Sequence, residues 1–208
     1  MPVTAAFDVA LAGEAADLHL DDGRVVGLST PRWHRRACAG DRWLVRRCTG
    51  ATLDLGCGPG RLVEALFEAG VAALGIDCSP VAVDHCRARG VPALCADLFG
   101  ALPAEGHWRH VVFADGNIGI GGDPHGLLRR AAELLRPGGS ALVEVKPGWD
   151  GLWQGQARLS SSEHETGIWF PWAVLDLETI GALTRGTGLR LTEVHRGHRH
   201  FARLTRQG

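Results

Sequence analysis

The chain has 208 residues, of which 45% are hydrophobic and 22% are charged, and its formal net charge at pH 7 is −1. This length and apolar content suffice for one domain with an ordinary core, and they exclude a disordered chain. The near-neutral balance argues against a protein whose main task is binding a phosphate backbone. No apolar run approaches the ~18–20 residues of a membrane-spanning helix. The first residues do not resemble a signal peptide, so we expect a cytoplasmic protein.

Glycine and arginine are unusually frequent. The chain has 29 glycines, and its 22 basic residues include a single lysine, Lys146. We attribute the excess of arginine to genomic base composition, whereas each glycine costs conformational entropy on folding and needs a structural reason. The six cysteines form no Cys-x-x-Cys pair, which predicts reduced and mostly buried thiols.

Short apolar runs alternate with amphipathic stretches through the middle of the chain. The predicted strands are 51–55, 71–76, 92–95, 110–114 and 140–145, and the predicted helices are 61–69, 80–90 and 125–135. Ser79 is a typical N-cap, and a turn is expected at 136–139. A Gly/Trp/Ser-rich loop at 148–172 is followed by a predicted helix at 172–184 and strands at 189–195 and 200–205.

Strands that alternate with helices predict βαβ units, and so the predicted fold class is α/β. We expect a doubly wound, mostly parallel, seven-stranded Rossmann-like sheet. Its last two strands are joined by a short turn at 196–199 and form a C-terminal antiparallel hairpin. Residues 1–48 are polar and irregular, with clusters of arginine and aromatic residues.

The strongest chemical signal is the run LDLGCGPG at residues 53–60, at the first strand-to-helix turn. Glycines at such a turn let the backbone approach a ligand, and the helix N-terminus offers free N–H groups. A dinucleotide fingerprint GxGxxG would need glycine at position 61, where Arg61 stands. The spacing is instead GxGxG, preceded by Asp54. This motif resembles the signature of the class I S-adenosylmethionine-dependent methyltransferases.

Three further acidic positions extend the resemblance. Asp77 follows the second strand, where a carboxylate can accept both ribose hydroxyls. The resemblance implies that Asp97 accepts the adenine amino group and that Leu98 lies against the ring. Asp115 and Asn117 follow the fourth strand, facing the crevice where the methyl group would lie. The cofactor implied is S-adenosyl-L-methionine, bound by Asp54, Gly56, Cys57, Gly58, Gly60, Asp77, Cys78, Asp97, Leu98 and Asp115.

Cys57 and Asp97 also have plainer interpretations. Cys57 has no paired base, so we interpret it as a small packing residue of the loop rather than a nucleophile. Asp97 could simply cap a helix. The run DGNIGIGGDP at residues 115–124 resembles that of a group of bacterial methyltransferases, a likeness that names no substrate. It either bends around the cofactor or substrate, or is a glycine-rich loop in which Asp123 caps the next helix.

Methyl transfer from a sulfonium is an in-line displacement, so positioning supplies much of the rate and a general base is optional. The candidate catalytic residues are Asp115, Asn117, His34 and Glu144. Glu144 lies two residues before Lys146, and the two form either a buried salt bridge or a substrate contact.

His34 belongs to a basic, aromatic segment. Around it lie Arg32, Trp33, Arg35, Arg36 and Trp43. This segment either covers the site and binds an acidic or aromatic substrate, or consists of solvated arginines and anchoring tryptophans.

Two other clusters have open roles. Four tryptophans surround the 148–172 loop and form either an aromatic pocket or core packing: Trp149, Trp153, Trp169 and Trp172, with Glu163, His164 and Glu165 between them. His195, His198 and His200 are the only cluster resembling metal ligands. They have no acidic or cysteine partner nearby and alternate across a hairpin, so we expect no metal site.

We expect one methyltransferase domain over residues 1–208. It comprises an N-terminal lid or cap at 1–48, a cofactor-binding half at 49–147, and a substrate-side loop with the C-terminal hairpin at 148–208. The expected reaction is methylation of a small molecule. The oligomeric state, monomer or homodimer, is left open.

The alternatives are nucleic-acid or protein methylation, cofactor binding without catalysis, and use of the sulfonium as an electrostatic cofactor in a reaction such as decarboxylation. Adenine amino-methyltransferases resemble one another in an Asn/Asp-Pro-Pro-aromatic run, from which residues 115–118 depart. Near-neutral charge also disfavours nucleic acid, although 32–47 is locally basic.

Overall fold

The computed structural model of the chain describes residue 7 and residues 10–14, 16–161 and 168–208. The strands are β1 (Ala16–Leu20), β2 (Val25–Gly27), β3 (Thr52–Leu55), β4 (Ala73–Asp77), β5 (Ala93–Cys95), β6 (Trp108–Phe113), β7 (Leu135–Val145), β8 (Leu152–Ser161), β9 (Phe170–Leu175), β10 (Leu189–Arg196) and β11 (His200–Arg206). The helices are α1 (Thr30–Trp33), α2 (Arg42–Arg47), α3 (Arg61–Glu68), α4 (Pro80–Ala88), α5 (Pro124–Leu134) and α6 (Leu177–Leu183).

The larger sheet has seven strands in the order β10-β11-β7-β6-β3-β4-β5. The pairs from β7 through β5 are parallel, and β11 pairs antiparallel with both β7 and β10. The predicted doubly wound sheet with its C-terminal hairpin is therefore confirmed. Because parallel strands end at the same edge, the loops after β3, β4, β5 and β6 meet there.

Helices cover both faces of this sheet, as buried parallel strands require. On one face, residues of α5 and α6 such as Leu127 and Ile180 pack against β6 and β7. On the other, α2, α3 and α4 contribute Trp43, Val63 and Cys86. Ser79 accepts a hydrogen bond from the Ala82 N–H at 3.4 Å and caps α4 as predicted.

A second, antiparallel sheet has the strand order β2-β1-β8-β9 and its own apolar core. This sheet corrects three expectations. Residues 1–48, expected to be irregular, contain β1 and β2, and the expected 148–172 loop contains β8 and the start of β9. Residues 172–175, expected to be helical, belong to β9. A short apolar run fits a strand or a helix equally well. The helix begins only at Leu177, after Asp176 accepts the Thr179 N–H at 2.8 Å as its N-cap.

The expected turn at 136–139 is also wrong, because these residues lie within β7. In the pairing of β6 with β7, Trp108 faces Leu135 and His110 faces Ser140. The additional residues of β7 between these two pairs therefore form a bulge. The Arg-Pro-Gly-Gly run therefore forms this bulge within β7, rather than the predicted turn between a helix and a strand.

The expectation of mostly buried thiols holds for only three of the six cysteines, since Cys38, Cys78 and Cys95 are exposed. None of the helices in the described residues has both the length and the apolar composition that crossing a bilayer requires.

The core of the second sheet provides a stability test. Leu18 in β1 is 1% exposed, whereas Leu152 in β8 of the same sheet is 38% exposed. Leu18→Ala should lower the free energy of unfolding by about 2–5 kcal/mol, because it leaves a cavity. Leu152→Ala should cost less than about 1 kcal/mol. Denaturant unfolding of both variants measures this, and equal effects would contradict a core at Leu18.

Candidate active site

The turn between β3 and α3 is built from glycines with positive φ. Gly56, Gly58 and Gly60 have φ of +73°, +52° and +84°. The N–H groups of Gly56 and Cys57 donate to the carbonyl of Ile76 at 2.8 and 3.0 Å, which fixes the turn to the end of β4. A Cβ at Gly56 would stand 2.6 Å from Nδ2 of Asn117, closer than atoms approach. Only glycine therefore satisfies both the backbone conformation and the contact at this position.

Asp77 closes the turn from the neighbouring strand. Its Oδ2 accepts the Gly58 N–H at 2.9 Å, and its Oδ1 accepts the Ser79 N–H at 2.9 Å. Burial raises the pKa of Asp77 even though these backbone bonds favour the charged form. The carboxylate thus stands at a fixed position at the carboxyl edge of the sheet, where further lone pairs remain for a ligand.

A cavity of about 680 Å³ opens at this edge. It is lined by nine of the ten predicted cofactor-binding residues: Asp54, Gly56, Cys57, Gly58, Asp77, Cys78, Asp97, Leu98 and Asp115. Gly60 is the exception, because it packs beneath the turn, where a Cβ would meet Cys86 Sγ at 2.8 Å. The cavity is also walled by Trp33 from the N-terminal segment and by Trp172 from the second sheet.

Asp54 lies at the base of the cavity and is 2% exposed. Burial raises its pKa to about 7, although the nearby Arg61 charge lowers it. Among the described residues, the charge of Arg61 only partly offsets the burial of Asp54. An ammonium group of a ligand would stabilise the charged form of this carboxylate. Asp97 accepts the Phe99 N–H at 3.0 Å, and it caps a turn rather than a helix.

The Cys57 thiol is buried 3.9 Å from the thiol of Cys86. Its hydrogen bond with Cys86 and its burial raise the pKa of Cys57 well above the ordinary value. A thiol held in its protonated form is a poor nucleophile, which agrees with the interpretation of Cys57 as a packing residue.

Six charged residues, which we call the ion network, lie beside the cavity: Arg32, Asp41, Arg61, Asp115, Glu144 and Arg199. Arg61 is 3% exposed and pairs with Asp41 and, at 2.6 Å, with Oδ2 of Asp115. Arg199 donates to Asp41 at 2.5 Å and pairs with Glu144 through two nitrogens, one at 2.6 Å. The network joins the N-terminal segment, α3, the ends of β6 and β7, and the β10–β11 turn.

The network shifts the pKa of its buried members. Burial raises the pKa of Asp41, but the hydrogen bonds and charges of Arg61 and Arg199 outweigh it and leave the pKa below its ordinary range. Burial lowers the pKa of Arg199, but the hydrogen bond and the charge of Glu144 outweigh this effect and raise the pKa above its ordinary range. The charged forms are thus stabilised by each other.

Two predicted catalytic carboxylates are members of this network. The oxygens of Asp115 accept hydrogen bonds from Arg32 and Arg61, and those of Glu144 accept from Arg199. Both are therefore engaged, and neither is a free base. Of the two alternatives for Glu144 and Lys146, the structure contradicts the buried salt bridge, because Lys146 Nζ donates to the carbonyl of Gly27 at 3.1 Å.

Asn117 and His34 occupy different surroundings. Asn117 lines the cavity and donates to the carbonyls of Leu55 at 3.0 Å and Gly56 at 2.7 Å, so it supports the glycine turn. The structure does not bring His34 to the cavity. Its ring stands edge-on to His85, with ring centroids 5.3 Å apart, and Nε2 lies 3.3 Å from the carbonyl of Ala10.

The 116–124 loop combines the two roles considered for it. Asp123 caps α5 by accepting the Gly126 N–H at 3.0 Å. Ile120 lines the cavity and pairs with Trp172 of the second sheet. A Cβ at Gly119 would lie 2.0 Å from the carbonyl oxygen of Ala173, so glycine is required for this close approach.

The tryptophans divide between anchors and walls. Trp43 stacks on Phe201 with ring centroids 5.0 Å apart and holds α2 to the large sheet. Trp33 and Trp172 line the cavity. The other three tryptophans around the 148–172 loop do not line it: Trp149 lies under Arg24, Trp153 is buried in the second sheet, and Trp169 is 45% exposed. Glu163, His164 and Glu165 lie outside the described residues.

The histidine cluster is dispersed. His195 stacks against Trp43 and Phe201, with both centroid distances 6.0 Å. Among the described residues, no three histidine, cysteine, aspartate or glutamate side chains lie together as metal ligands would.

Arg61, Asp41 and Arg199 were not identified as site residues from the sequence. Since Arg61 follows the last glycine of the motif, the sequence did indicate its position at the start of α3. The contact between Asp41 and Arg199 spans 158 positions, and no local pattern indicates it.

Comparisons with known proteins agree with this geometry. Residues 52–139 match the model of a family described as a methyltransferase domain. A S-adenosylmethionine-dependent methyltransferase from Bacteroides fragilis, solved with S-adenosyl-L-homocysteine, superposes with a TM-score of 0.80 at 22% identity over 100% of this chain and 98% of that one. No curated protein sequence matches significantly.

More distant structures share the fold. A sugar N-methyltransferase from a Streptoalloteichus species has a TM-score of 0.60 at 17% identity, covering 80% of this chain and 85% of its own. A 1,6-didemethyltoxoflavin-N1-methyltransferase from Burkholderia thailandensis, solved with bound 1,6-didemethyltoxoflavin and S-adenosylhomocysteine, has a TM-score of 0.57 at 16% identity, covering 76% of this chain and 71% of its own. The chain therefore shares the fold of these S-adenosylmethionine-dependent methyltransferase structures, and its residues 52–139 match the methyltransferase-domain model.

Arg61→Met tests the ion network. It removes the buried cation that pairs with both Asp41 and Asp115, and we expect a loss of about 3–5 kcal/mol in the free energy of unfolding. The matched control is Arg36→Met, since Arg36 is 74% exposed and pairs with Glu68 on the surface. That change should cost less than about 1 kcal/mol. Urea unfolding compares the two, and a loss at Arg61 no larger than at Arg36 would contradict a stabilising role.

Asp54→Asn tests the burial of the carboxyl group. The folded protein retains the proton on Asp54 up to about pH 7, whereas the unfolded chain releases it near its ordinary pKa of 3.8. The contribution of Asp54 to the free energy of unfolding is therefore full below pH 3.8 and falls as pH rises to 7. Relative to Asp54→Asn, the unliganded wild-type protein should lose about 4 kcal/mol between pH 4 and 8. A difference that does not change with pH would refute the shifted pKa.

Proposed function

We propose that this protein binds S-adenosyl-L-methionine in the 680 Å³ cavity and transfers its methyl group to a small molecule. The observation that carries the proposal is the convergence of the GxGxG turn with Asp77 and Asp54 on one cavity within a methyltransferase domain. Several structural neighbours were solved with S-adenosylmethionine or S-adenosylhomocysteine, which supports this cofactor. A cavity of this volume is of the size that cofactor sites have.

The residues of the cavity fit the parts of this cofactor. A Cβ at Gly58 would have nothing within 4 Å, so the backbone is open to a ligand there. Asp54 would meet the ammonium group of the amino-acid end, whose charge offsets the burial of the carboxylate. Asp77 would accept the ribose hydroxyls, and Asp97 with Leu98 would contact the adenine.

When bound, the cofactor would supply an electrophilic methyl group to a lone pair of the acceptor. Its sulfur would be the leaving group that keeps the electron pair of the carbon–sulfur bond, and any proton lost would pass to water. The chain's contribution is positioning. Asp115, a member of the ion network, and Asn117 both line the cavity, and their hydrogen bonds fix them in place. Since Asp115 is engaged by two arginines, we assign it to orienting the acceptor rather than to removing a proton.

We further propose that residues 1–208 form one methyltransferase domain, since the cavity takes walls from the N-terminal segment, the large sheet and the second sheet. A small-molecule acceptor is supported by neighbours described as acting on a sugar and on 1,6-didemethyltoxoflavin. His34 is left out of the proposed site because it does not line the cavity.

Asp77→Asn tests cofactor binding. Titration with S-adenosylhomocysteine by calorimetry should show affinity about 10- to 100-fold weaker than for the wild type, because one charge-assisted acceptor of the ribose hydroxyls is lost. The matched control is Asp84→Asn on the exposed side of α4, where Asp84 pairs with Arg87 at 2.6 Å. This variant should bind as the wild type does.

Thermal unfolding of both variants shows whether the fold is retained. No heat of binding with the wild-type protein would refute the proposed cofactor. Equal weakening by Asp77→Asn and Asp84→Asn would refute the assigned role of Asp77.

A further inference from the structure

A second cavity of about 300 Å³ adjoins the first. It is lined by the end of β7, the β10–β11 turn and the second sheet, and it shares Leu28, Trp33, Asp115 and Trp172 with the first cavity. Its volume is at the lower end of the range for small-molecule sites. A molecule bound there would lie directly beside the cavity that we assign to the cofactor.

The charges that line this second cavity are unequal. Three cations, Arg32, Lys146 and Arg199, face two carboxylates, Asp115 and Glu144. Arg199 pairs with Glu144 and Arg32 pairs with Asp115 within the ion network. After these pairs are formed, the positive charge of Lys146 remains.

Lys146 is the single lysine of the chain and is half-buried at the end of β7. Its ammonium group donates to the carbonyl of Gly27 at 3.1 Å. Within the described part of the chain, no carboxylate forms an ion pair with it. An ammonium group has three donors, so two remain for a ligand, and a partly buried cation without an anionic partner favours binding one.

We propose that the second cavity binds the methyl acceptor and that this acceptor is a small molecule with a carboxylate or phosphate group that pairs with Lys146. The inference rests on the proposed function, because it takes the first cavity as the cofactor site. Trp33 and Trp172 form apolar walls for the remainder of the molecule. A cationic acceptor is disfavoured, because the two carboxylates of this cavity already pair with arginines.

The test uses the full chain saturated with S-adenosylhomocysteine and ligand-observed NMR with three probes of similar shape: benzoate, phenyl phosphate and neutral benzamide. At least one of the two acids should bind more tightly than benzamide. Lys146→Gln should weaken binding of that acid about tenfold and leave benzamide unchanged, because it removes one charge-assisted hydrogen bond. The matched control, Arg129→Gln, removes an exposed cation of α5 outside both cavities and should bind as the wild type does.

Charge reversal gives a second test that does not depend on a loss of binding. Lys146→Glu should bind benzylamine more tightly than benzoate, the reverse of the wild type. Equal binding of both acids and benzamide to the wild type would overturn the inference. So would equal effects of Lys146→Gln and Arg129→Gln.

Calorimetry with S-adenosylhomocysteine separates the two proposals. If the cofactor product binds but the acids are not preferred, the inference on the acceptor fails alone. If the cofactor product does not bind, the proposed function fails, and the inference that rests on it fails with it.

Discussion

The ion pairs of Arg61 hold together parts of the chain that are distant in sequence. Arg61 starts the helix after the glycine turn, and it contacts Asp41 from the N-terminal segment and Asp115 from the end of β6. Burying a guanidinium group is costly unless its charge is matched, so each of these carboxylates is constrained in position. The N-terminal segment is thereby fixed over the carboxyl edge of the sheet, and the first cavity obtains Trp33 as a wall.

The same constraint explains which groups remain available for ligands. The network engages the carboxylates of Asp115 and Glu144. By contrast, no residue in the described part of the chain forms an ion pair with Asp54 in the first cavity or with Lys146 in the second. One site is therefore suited to a cationic group and the adjacent site to an anionic one. In our proposals these are the ammonium end of the cofactor and the acidic group of the acceptor.

The large sheet could be predicted because its signals are local. The apolar runs, the glycine turn and Asp77 each fall within a few residues, and parallel topology then brings the strand ends together. The second sheet was missed because glycine and polar residues interrupt the apolar alternation of β8, and because the apolar run 172–175 fits either regular structure. The cap at Asp176 was the signal that could have separated strand from helix.

Most of the cofactor-binding part of the candidate site could also be predicted from the sequence. Nine of the ten predicted cofactor residues share one cavity, because they lie at or just after the carboxyl ends of neighbouring strands. The ion network could not be predicted, since pairing of Glu144 with Arg199 rather than with the nearby Lys146 depends on the antiparallel return of β11 beside β7. Likewise, His34 lies close in sequence to Arg32 but does not line either cavity.

A crystal structure of the protein with S-adenosylhomocysteine tests the central claim most directly. Our account predicts the ribose hydroxyls on Asp77, the ammonium group at Asp54 and the sulfur directed toward Asp115, with Arg61 still pairing with both Asp41 and Asp115. Density for the ligand outside this cavity, or a ligand bound there with the ion network broken, would contradict it.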